Sequence, residues 1–302
     1  MGHRFHIYDV FTETRLAGNQ LAIVEEADDL SAAEMQAMAR EFGFSETIFL
    51  QDSESPLAAA KVRIFTPFEE LPFAGHPTVG AAVFLATHRP QLNDNGDKRL
   101  LMLDEKIGLV RAAVSLETNG VAYAEFDVPV LPEVLTSVPE ADLVADALGI
   151  SVADVGFENH KISSAFSGVK FIFVPVRTCP VIRQAYPDMN FWDQAFQNYA
   201  PLGVYVYTRD EAGHRGGFHV RMFAPDMGIV EDAATGSAAV GFATVIQKFE
   251  VGKRRYYETF LRQGIEMGRE SLLKLEVELA DEGVGKVRVG GHAVPVASGE
   301  LL

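Results

Sequence analysis

Two apolar runs of small residues stand out along the chain, and each follows a polar loop that ends in glycine. Residues 78–86 read TVGAAVFLA, and residues 238–246 read AAVGFATVI. The second run has almost no polar face at the helical period of 3.6 residues. It therefore predicts a helix that is buried rather than amphipathic, and the first run shares its composition.

The loop before the second run, residues 231–237, reads EDAATGS. The first N–H groups of a helix have no partner inside the helix, and the helix dipole gives that end partial positive charge. A carboxylate is a suitable ligand for such an end, and burial strengthens the attraction because water does not compete. Asp232 and Ser237 add a carboxyl and a hydroxyl group at the same place.

The same ordered set of features occurs twice. RIFTP at residues 63–67 leads through LPFAGH to Gly75 and His76, and RMFAP at residues 221–225 leads to Gly236 and Ser237. The second copy is three residues longer between the RxFxP motif and the glycine. Two unrelated strand–loop–helix units are one interpretation. We favour a duplicated fold whose two half-sites face one cleft.

The remaining pattern predicts many short strands and few helices. Residues 31–41 predict a helix with a capping box of Ser31 and Glu34, a hydrophobic staple of Leu30 with Met35, and Gly43 as its stop. The predicted fold is α+β, with two pseudo-symmetric lobes, each a curved, mostly antiparallel sheet around a buried apolar helix. We place the lobes at residues 1–120 and 121–302, with a turn at 118–120 and a last strand that can cross back to the first lobe.

Glu46 is the first candidate acid–base residue. Alternation in FSETIFL, residues 44–50, places Glu46 on one face with Ile48 and Leu50. If that face is buried without a cation, the pKa of the carboxyl rises toward neutrality, as general acid–base catalysis requires. If the face is exposed near the strand end, Glu46 is simply solvated.

His76 is the second candidate. A histidine at a helix N-terminus tends to stay neutral, because the dipole disfavours the imidazolium, and it can then donate a hydrogen bond or carry a proton. The alternative is that His76 only caps its helix.

The amino-acid composition and net charge limit the kinds of partner that the protein can bind. The 302 residues carry a net charge of −16, are 48% hydrophobic and 23% charged, and contain one cysteine. This balance argues against nucleic-acid and anionic-membrane partners. We expect no membrane span, no signal sequence, no disulfide and a cytoplasmic location.

The single cysteine, Cys179, also excludes a racemase that uses one thiol on each face of its substrate. His214 and His219 lack a matching third ligand, so we expect no metal. No GxGxxG or GxxxxGK[ST] motif supports a nucleotide cofactor, and the TGSAA context of Ser237 does not match a serine hydrolase.

The longest motifs resemble one family. DVFTETRLAGNQLAIV, SAAEMQAMAREFGFSETIFL, RIFTPFEELPFAGHPTVGAA, RMFAPDMGIVEDAATGSAA and GGHAVPVASGEL are similar to the phenazine-biosynthesis-like isomerases, the PhzF family, which share the diaminopimelate epimerase fold. One departure is Gln20, where a proline often follows the GN pair, and residues 157–218 match least well.

The resemblance implies a cofactor-free isomerase, typically a homodimer, in which the glutamate of the SET motif moves a proton. Here that residue is Glu46, and His76, Asp232 and Ser237 fall on the other site positions. The best-known activity of the family isomerises trans-2,3-dihydro-3-hydroxyanthranilate by moving a proton from C3 to C1. The remaining residues that we expect to contact substrate are Asn19, Gly75, Thr235 and Gly236.

The predicted substrate is therefore a small carboxylate whose proton Glu46 removes and returns elsewhere, with His76 and Asp232 as catalytic hydrogen-bond partners. Two alternatives stay open. One is an epimerase or racemase of amino or imino acids. The other is a protein that keeps the fold for small-molecule binding or interaction and has lost turnover.

Overall fold

The computed structural model describes residues 2–89, 96–117, 121–211, 217–250, 254–281 and 283–302. The chain divides into two compact units. Unit 1 comprises Met1–Pro129 and Val289–Leu302, and unit 2 comprises Val130–Arg288. The predicted turn at residues 118–120, and with it the predicted lobe boundary at residue 120, lies outside the described residues.

Unit 1 contains eight complete strands and two helices in its described part. The strands are β1 His3–Val10, β2 Asn19–Val24, β3 Glu46–Gln51, β4 Ala60–Phe65, β5 Glu70–Leu71, β6 Lys98–Glu105, β7 Gly108–Leu116 and β8 Ala122–Asp127, and the helices are α1 Ala32–Phe42 and α2 Gly75–His88.

The unit 1 strands form a closed barrel. Hydrogen-bonded neighbours run β1–β2–β3–β4–β6–β7–β8. The last strand of the chain, β17 (Gly283–Leu301), pairs with both β8 and β1 and completes the ring. Most of these pairs are antiparallel, whereas β2–β3 and β4–β6 are parallel. A parallel pair needs a crossover connection, and α1 and α2 supply the two crossovers.

Helix α2 is the core of unit 1. Its first twelve residues are all buried, and it packs against β1, β2, β3, β6, β7 and β8. Its composition explains this position, because a helix without a polar face is stable only where apolar neighbours cover every side. The prediction of a buried helix in this lobe is confirmed.

Helix α1 begins and ends where its sequence predicts. The Ser31 hydroxyl accepts from the Glu34 backbone N–H, the Glu34 carboxylate accepts from the Ser31 backbone N–H, and Gly43 adopts the left-handed conformation at the C-cap. Met35 packs in a cluster with Phe49 and Phe65, and Leu30 lies against that cluster. The helix thereby covers one face of β3 and β4.

Unit 2 contains eight complete strands and four α-helices in its described part, together with the start of β17. They are β9 Glu133–Leu135, β10 Ser163–Phe166, β11 Lys170–Pro175, β12 Gly203–Arg209, β13 Phe218–Ala224, β14 Ile229–Asp232, β15 Tyr256–Gln263, β16 Ser271–Ala280, α3 Ala141–Ala147, α4 Cys179–Gln184, α5 Met189–Phe196 and α6 Gly236–Val245.

The sheet of unit 2 repeats the plan of unit 1. Its strands pair in the order β9–β10–β11–β12–β13–β15–β16, with β11–β12 and β13–β15 parallel. Helix α6 packs against β9, β10, β11 and β16, and all of its residues except Ser237 are buried. The second predicted buried helix is therefore confirmed as well.

The two buried helices share a close-approach glycine at their sixth residue. A Cβ on Gly80 would lie 2.3 Å from Leu21 Cδ2, and a Cβ on Gly241 would lie 2.8 Å from Phe173 Cζ. Both contacts are too short for any residue larger than glycine unless the neighbour moves. The glycines in TVGAA and AAVGF therefore set how closely each helix approaches its sheet.

Alternation along residues 44–50 does not separate a buried from an exposed face. Thr47, Ile48, Phe49 and Leu50 are all buried, because β3 lies between β2 and β4 and α1 covers the face that carries Phe49. Glu46 is the first residue of this strand, and its partial exposure comes from that terminal position. The strand begins two residues later than the sequence pattern predicts.

Candidate functional site

Glu46 and His76 meet in unit 1. Oε2 of Glu46 lies 3.4 Å from Nδ1 of His76. Glu46 opens β3, opposite Leu21 of β2, and His76 lies in the first turn of α2. The glutamate side chain keeps 16% of its surface exposed, whereas the histidine keeps 4%. The Glu46 side chain is thus partly exposed, although its Oε2 atom is buried against an imidazole that is almost fully buried.

Burial keeps the imidazole of His76 neutral. Desolvation lowers its pKa from the usual 6.5 to about 3, because the charged ring would lose its hydration. Nε2 of His76 is buried and makes no well-formed hydrogen bond within the described part of the chain. The backbone of Gln20 lies close enough to oppose the fall in pKa in part. At neutral pH His76 therefore offers one ring N–H donor and one ring acceptor.

Asn19 and Gly75 belong to the same part of unit 1. Asn19 is buried and opens β2, where it pairs with Val10, and it precedes Gln20, whose backbone approaches His76. Gly75 is the first residue of α2, and its N-cap, Ala74, makes no side-chain capping bond. The backbone N–H groups of Gly75 and His76 thus lie at the helix N-terminus, where they have no partner inside the helix.

In unit 2, Asp232 and Thr235 are joined directly. The Thr235 hydroxyl donates to Oδ2 of Asp232 over 2.6 Å, and Gln263 donates to the Asp232 carbonyl over 2.9 Å. Both Asp232 and Thr235 are buried. These contacts hold the EDAAT loop in one conformation in front of α6.

The first turn of α6 has no side-chain cap. Thr235 is the N-cap residue but makes no side-chain bond to the helix, because its hydroxyl is committed to Asp232. Gly236 and Ser237 form the first turn, and the Ser237 side chain is partly exposed. The Ser237 carbonyl accepts from the Ser167 hydroxyl over 2.8 Å, which fixes the turn from the opposite side.

The arginine of each RxFxP motif has a structural role that the sequence analysis did not assign. Arg63 Nε donates to Glu70 over 2.8 Å, seven residues along the chain. Arg221 donates to Glu231 through both Nε and Nη2, each over 2.8 Å, ten residues along. The difference of three residues equals the insertion in the second loop. The sequence therefore contained the signal for both ion pairs: an Arg followed by a Glu in each copy, seven residues later in the first and ten in the second.

Of the two histidines considered as metal ligands, only His219 belongs to the described part of the chain. His219 Nε2 lies 3.1 Å from Glu266, and His214 lies outside the described residues. Within those residues, no three histidine, cysteine or carboxylate side chains are grouped as a metal site.

Comparison with known proteins shows the family. The profile of the phenazine biosynthesis-like proteins, PhzC-PhzF, matches residues 8–299. The chain belongs to this PhzF family.

Individual members of the PhzF family match over nearly the whole chain. An uncharacterized isomerase of Mesorhizobium japonicum is 41% identical, with 98% of this chain and 97% of the relative covered. A trans-2,3-dihydro-3-hydroxyanthranilate isomerase of Pseudomonas fluorescens is 32% identical, with 99% of each covered. The crystal structure of a PhzF-family protein of Bacillus anthracis superposes with a TM-score of 0.87 at 24% identity, covering 100% of this chain and 99% of that one.

These matches confirm the predicted fold and enzyme class: the protein is a PhzF-family isomerase with two α+β units. Among the residues that the structure describes, no helix combines the length and the apolarity that a bilayer crossing requires.

Proposed function

We propose that the protein isomerises a small carboxylate-bearing compound by moving one proton between two carbon atoms, with Glu46 as the group that carries it and no cofactor. The observation that carries the proposal is the 3.4 Å contact of the partly exposed Glu46 carboxyl with the buried His76 imidazole. The Glu46 side chain is the more exposed of the two, and the imidazole lies beside it at the start of α2.

The proposed step balances without an oxidant or a reductant. The Glu46 carboxylate takes a proton from carbon, and the electron pair of the broken C–H bond moves into the conjugated system next to the substrate carboxylate. The protonated Glu46 then donates a proton, either the one it took or one that has exchanged from solvent, to the second carbon as a new C–H bond forms. Base and acid are thus one residue in two protonation states.

A neutral His76 suits this chemistry. An imidazolium at 3.4 Å would stabilise the Glu46 carboxylate and weaken it as a base. The neutral ring avoids that effect and still supplies a hydrogen-bond donor for a substrate amino or hydroxyl group, where it steadies charge that develops in the transition state.

For unit 2 we propose that Asp232 binds a polar substituent of the substrate and that the first turn of α6, with Ser237, binds a carboxylate. Two observations support this. The Thr235 hydroxyl is hydrogen-bonded to Asp232, and it therefore leaves the N-terminus of α6 without a side-chain cap. That the two half-sites serve one substrate stays a prediction from the repeated motif.

The substrate class is proposed from the relatives. The Pseudomonas fluorescens protein is named for trans-2,3-dihydro-3-hydroxyanthranilate, and this compound carries the carboxylate, amino and hydroxyl groups that the two half-sites suit. The test is incubation of the protein with this compound in D₂O, followed by NMR. Conversion supports the substrate assignment, and deuterium at the carbon that receives the proton shows that the proton on Glu46 exchanges with solvent. Absence of conversion at high enzyme concentration contradicts the substrate assignment.

A further inference from the structure

A buried carboxyl group lies beside the first turn of α2 and takes no part in the proposed reaction. Glu105 ends β6 and is 3% exposed. Its Oε1 atom lies 2.8 Å from the Thr78 hydroxyl. Its Oε2 atom is buried and has no hydrogen-bond partner among the described residues. An ionised carboxylate in this position would leave one charged oxygen without solvation, at a high cost in free energy.

The Thr78 hydroxyl also lies 2.7 Å from the Ala74 carbonyl oxygen. A hydroxyl has one hydrogen, and a carbonyl can only accept. If Thr78 donates to Ala74, the second short contact is a hydrogen bond only when Glu105 carries a proton and donates it to Thr78. A protonated Glu105 therefore satisfies both contacts, whereas an ionised one leaves two acceptors facing each other.

The duplication identifies the equivalent position in unit 2. Glu105 is the last residue of β6 and pairs in parallel with Val62, the residue before RIFTP. Phe218 pairs with Leu261 and His219 with Arg262 in the parallel pair of β13 and β15. Continuing that register by one residue pairs Gln263, the last residue of β15, with Val220, the residue before RMFAP. Gln263 is thus the counterpart of Glu105.

Gln263 uses a neutral amide to hydrogen-bond the loop and first turn that precede and open α6. Its side chain is fully buried. Oε1 accepts from the Thr235 backbone N–H over 3.1 Å, and Nε2 donates to the Asp232 carbonyl over 2.9 Å. It thereby ties β15 to the loop and first turn of α6. A protonated glutamic acid has nearly the same shape as glutamine and, like it, combines a donor with an acceptor, although it has one O–H where the amide has two N–H groups.

Three cations on the elements around Glu105 pair with other carboxylates. Lys106, the next residue, and Arg63 of β4 both pair with Glu70 of β5. The charged residue of β7, Arg111, pairs with Asp127 of β8. His76 of α2 is neutral, as described above. No cation is thereby assigned to compensate a charge on Glu105.

We propose that Glu105 is held as a neutral carboxylic acid that donates to Thr78, fixes the first turn of α2 and so positions His76, as the amide of Gln263 fixes the first turn of α6. Glu105 is a positioning residue in this scheme. The value of positioning His76 rests on the proposed function, whereas the proton on Glu105 can be tested without a substrate.

Burial sets the pH range over which Glu105 keeps its proton. Desolvation, the largest cause, raises the pKa of Glu105 to about 8. Because the folded pKa lies above the unfolded value, the folded state holds a proton that the unfolded state has lost between about pH 4.5 and 8. Folding is therefore weakened as pH rises through that window, by about tenfold in the folding constant per pH unit.

The test compares the pH dependence of urea unfolding in Glu105→Gln and wild type. We expect the variant to gain stability relative to wild type by about tenfold per pH unit from pH 5 to 8. Gln263→Glu should show the reverse, a loss relative to wild type over the same window. Glu69→Gln, at an exposed carboxyl of unit 1, should match wild type at every pH. Equal pH dependence in Glu105→Gln and wild type, or failure of Glu105→Gln to fold, overturns the proposal.

A spectroscopic readout separates positioning of His76 from mere support of the fold. In wild type, the ring ¹⁵N shifts of His76 should change between pH 7 and 9 as Glu105 loses its proton, and the infrared band of a protonated carboxyl should disappear with them. Both changes should be absent in Glu105→Gln. Ring shifts that stay constant in wild type while the infrared band disappears contradict the positioning role, and a protonated-carboxyl band absent at pH 7 contradicts the neutral acid itself.

Discussion

Oε2 of Glu46 and Nδ1 of His76 lie 3.4 Å apart although the two residues come from different elements, the first residue of β3 and the first turn of α2. The two side chains differ in exposure, 16% against 4%. In the function proposed above, this difference fits two tasks. The more exposed Glu46 exchanges a proton with the substrate, and the buried His76 stays neutral and offers a fixed hydrogen bond.

The burial of His76 predicts acid sensitivity of the fold. Its pKa is about 3 in the folded state, against 6.5 for the unmodified side chain. The unfolded chain therefore takes up a proton that the folded protein refuses, and stability falls as pH decreases from about 6.5 toward 3. His76→Gln should remove this contribution, so its acid-unfolding midpoint, followed by circular dichroism, should lie at lower pH than that of wild type.

His88→Gln is the matched control for that variant. His88 lies in the last turn of the same helix but is exposed, so its replacement should leave the acid midpoint unchanged. An acid midpoint for His76→Gln equal to that of His88→Gln would show that His76 is protonated in the folded protein.

The Arg221–Glu231 pair predicts a large structural effect in unit 2. Arg221 is buried, binds Glu231 through two nitrogens and donates through Nη1 to the carbonyls of Ile182 and Ala185. Arg221→Met leaves the nearly buried Glu231 carboxylate and the Ala185 carbonyl without the arginine's donors. We expect a loss of about 3–5 kcal/mol in the free energy of unfolding, measured in urea.

Arg255→Met provides the comparison. Arg255 and Asp281 form an ion pair in which both side chains are largely exposed, and such pairs contribute only about 0–1 kcal/mol. Equal losses in the two variants would contradict the structural role of the buried Arg221–Glu231 pair.

Ser237 is predicted to act on substrate binding. Its side chain is partly exposed at the first turn of α6, where a hydroxyl can add one hydrogen bond to a bound carboxylate. Ser237→Ala should raise KM by roughly 3- to 10-fold with little change in kcat, the equivalent of one hydrogen bond. Ser151→Ala, at an exposed serine of the same unit, should leave KM unchanged, and an unaltered KM in Ser237→Ala as well removes Ser237 from the anion site.

Local sequence signals predicted the elements that depend on local interactions. The capping box of Ser31 and Glu34 forms as expected, and Gly43 ends α1. The two apolar runs became buried helices because no orientation of either helix presents a polar face to water. The repeated motif predicted two similar units because each copy brings a strand, a loop and a buried helix together within a short stretch of chain.

The contacts that the sequence did not reveal join residues far apart in the chain or depend on the whole sheet. Glu105 contacts Thr78 across 27 residues, and nothing near Glu105 in the sequence indicates burial. Alternation around Glu46 was uninformative because both faces of β3 are covered. The location of Glu46 at the strand end, which decides its exposure, follows from where β2 and β4 begin and end.

The most direct test of the central claim is the rate of trans-2,3-dihydro-3-hydroxyanthranilate isomerisation in D₂O for Glu46→Gln, compared with wild type and Glu69→Gln. The replacement keeps the shape of the side chain and removes its ability to carry a proton. We predict that Glu46→Gln loses about 100- to 10,000-fold in kcat, while Glu69→Gln converts the substrate and incorporates deuterium at the wild-type rate. Turnover by Glu46→Gln at the wild-type rate would contradict the claim that Glu46 carries the proton.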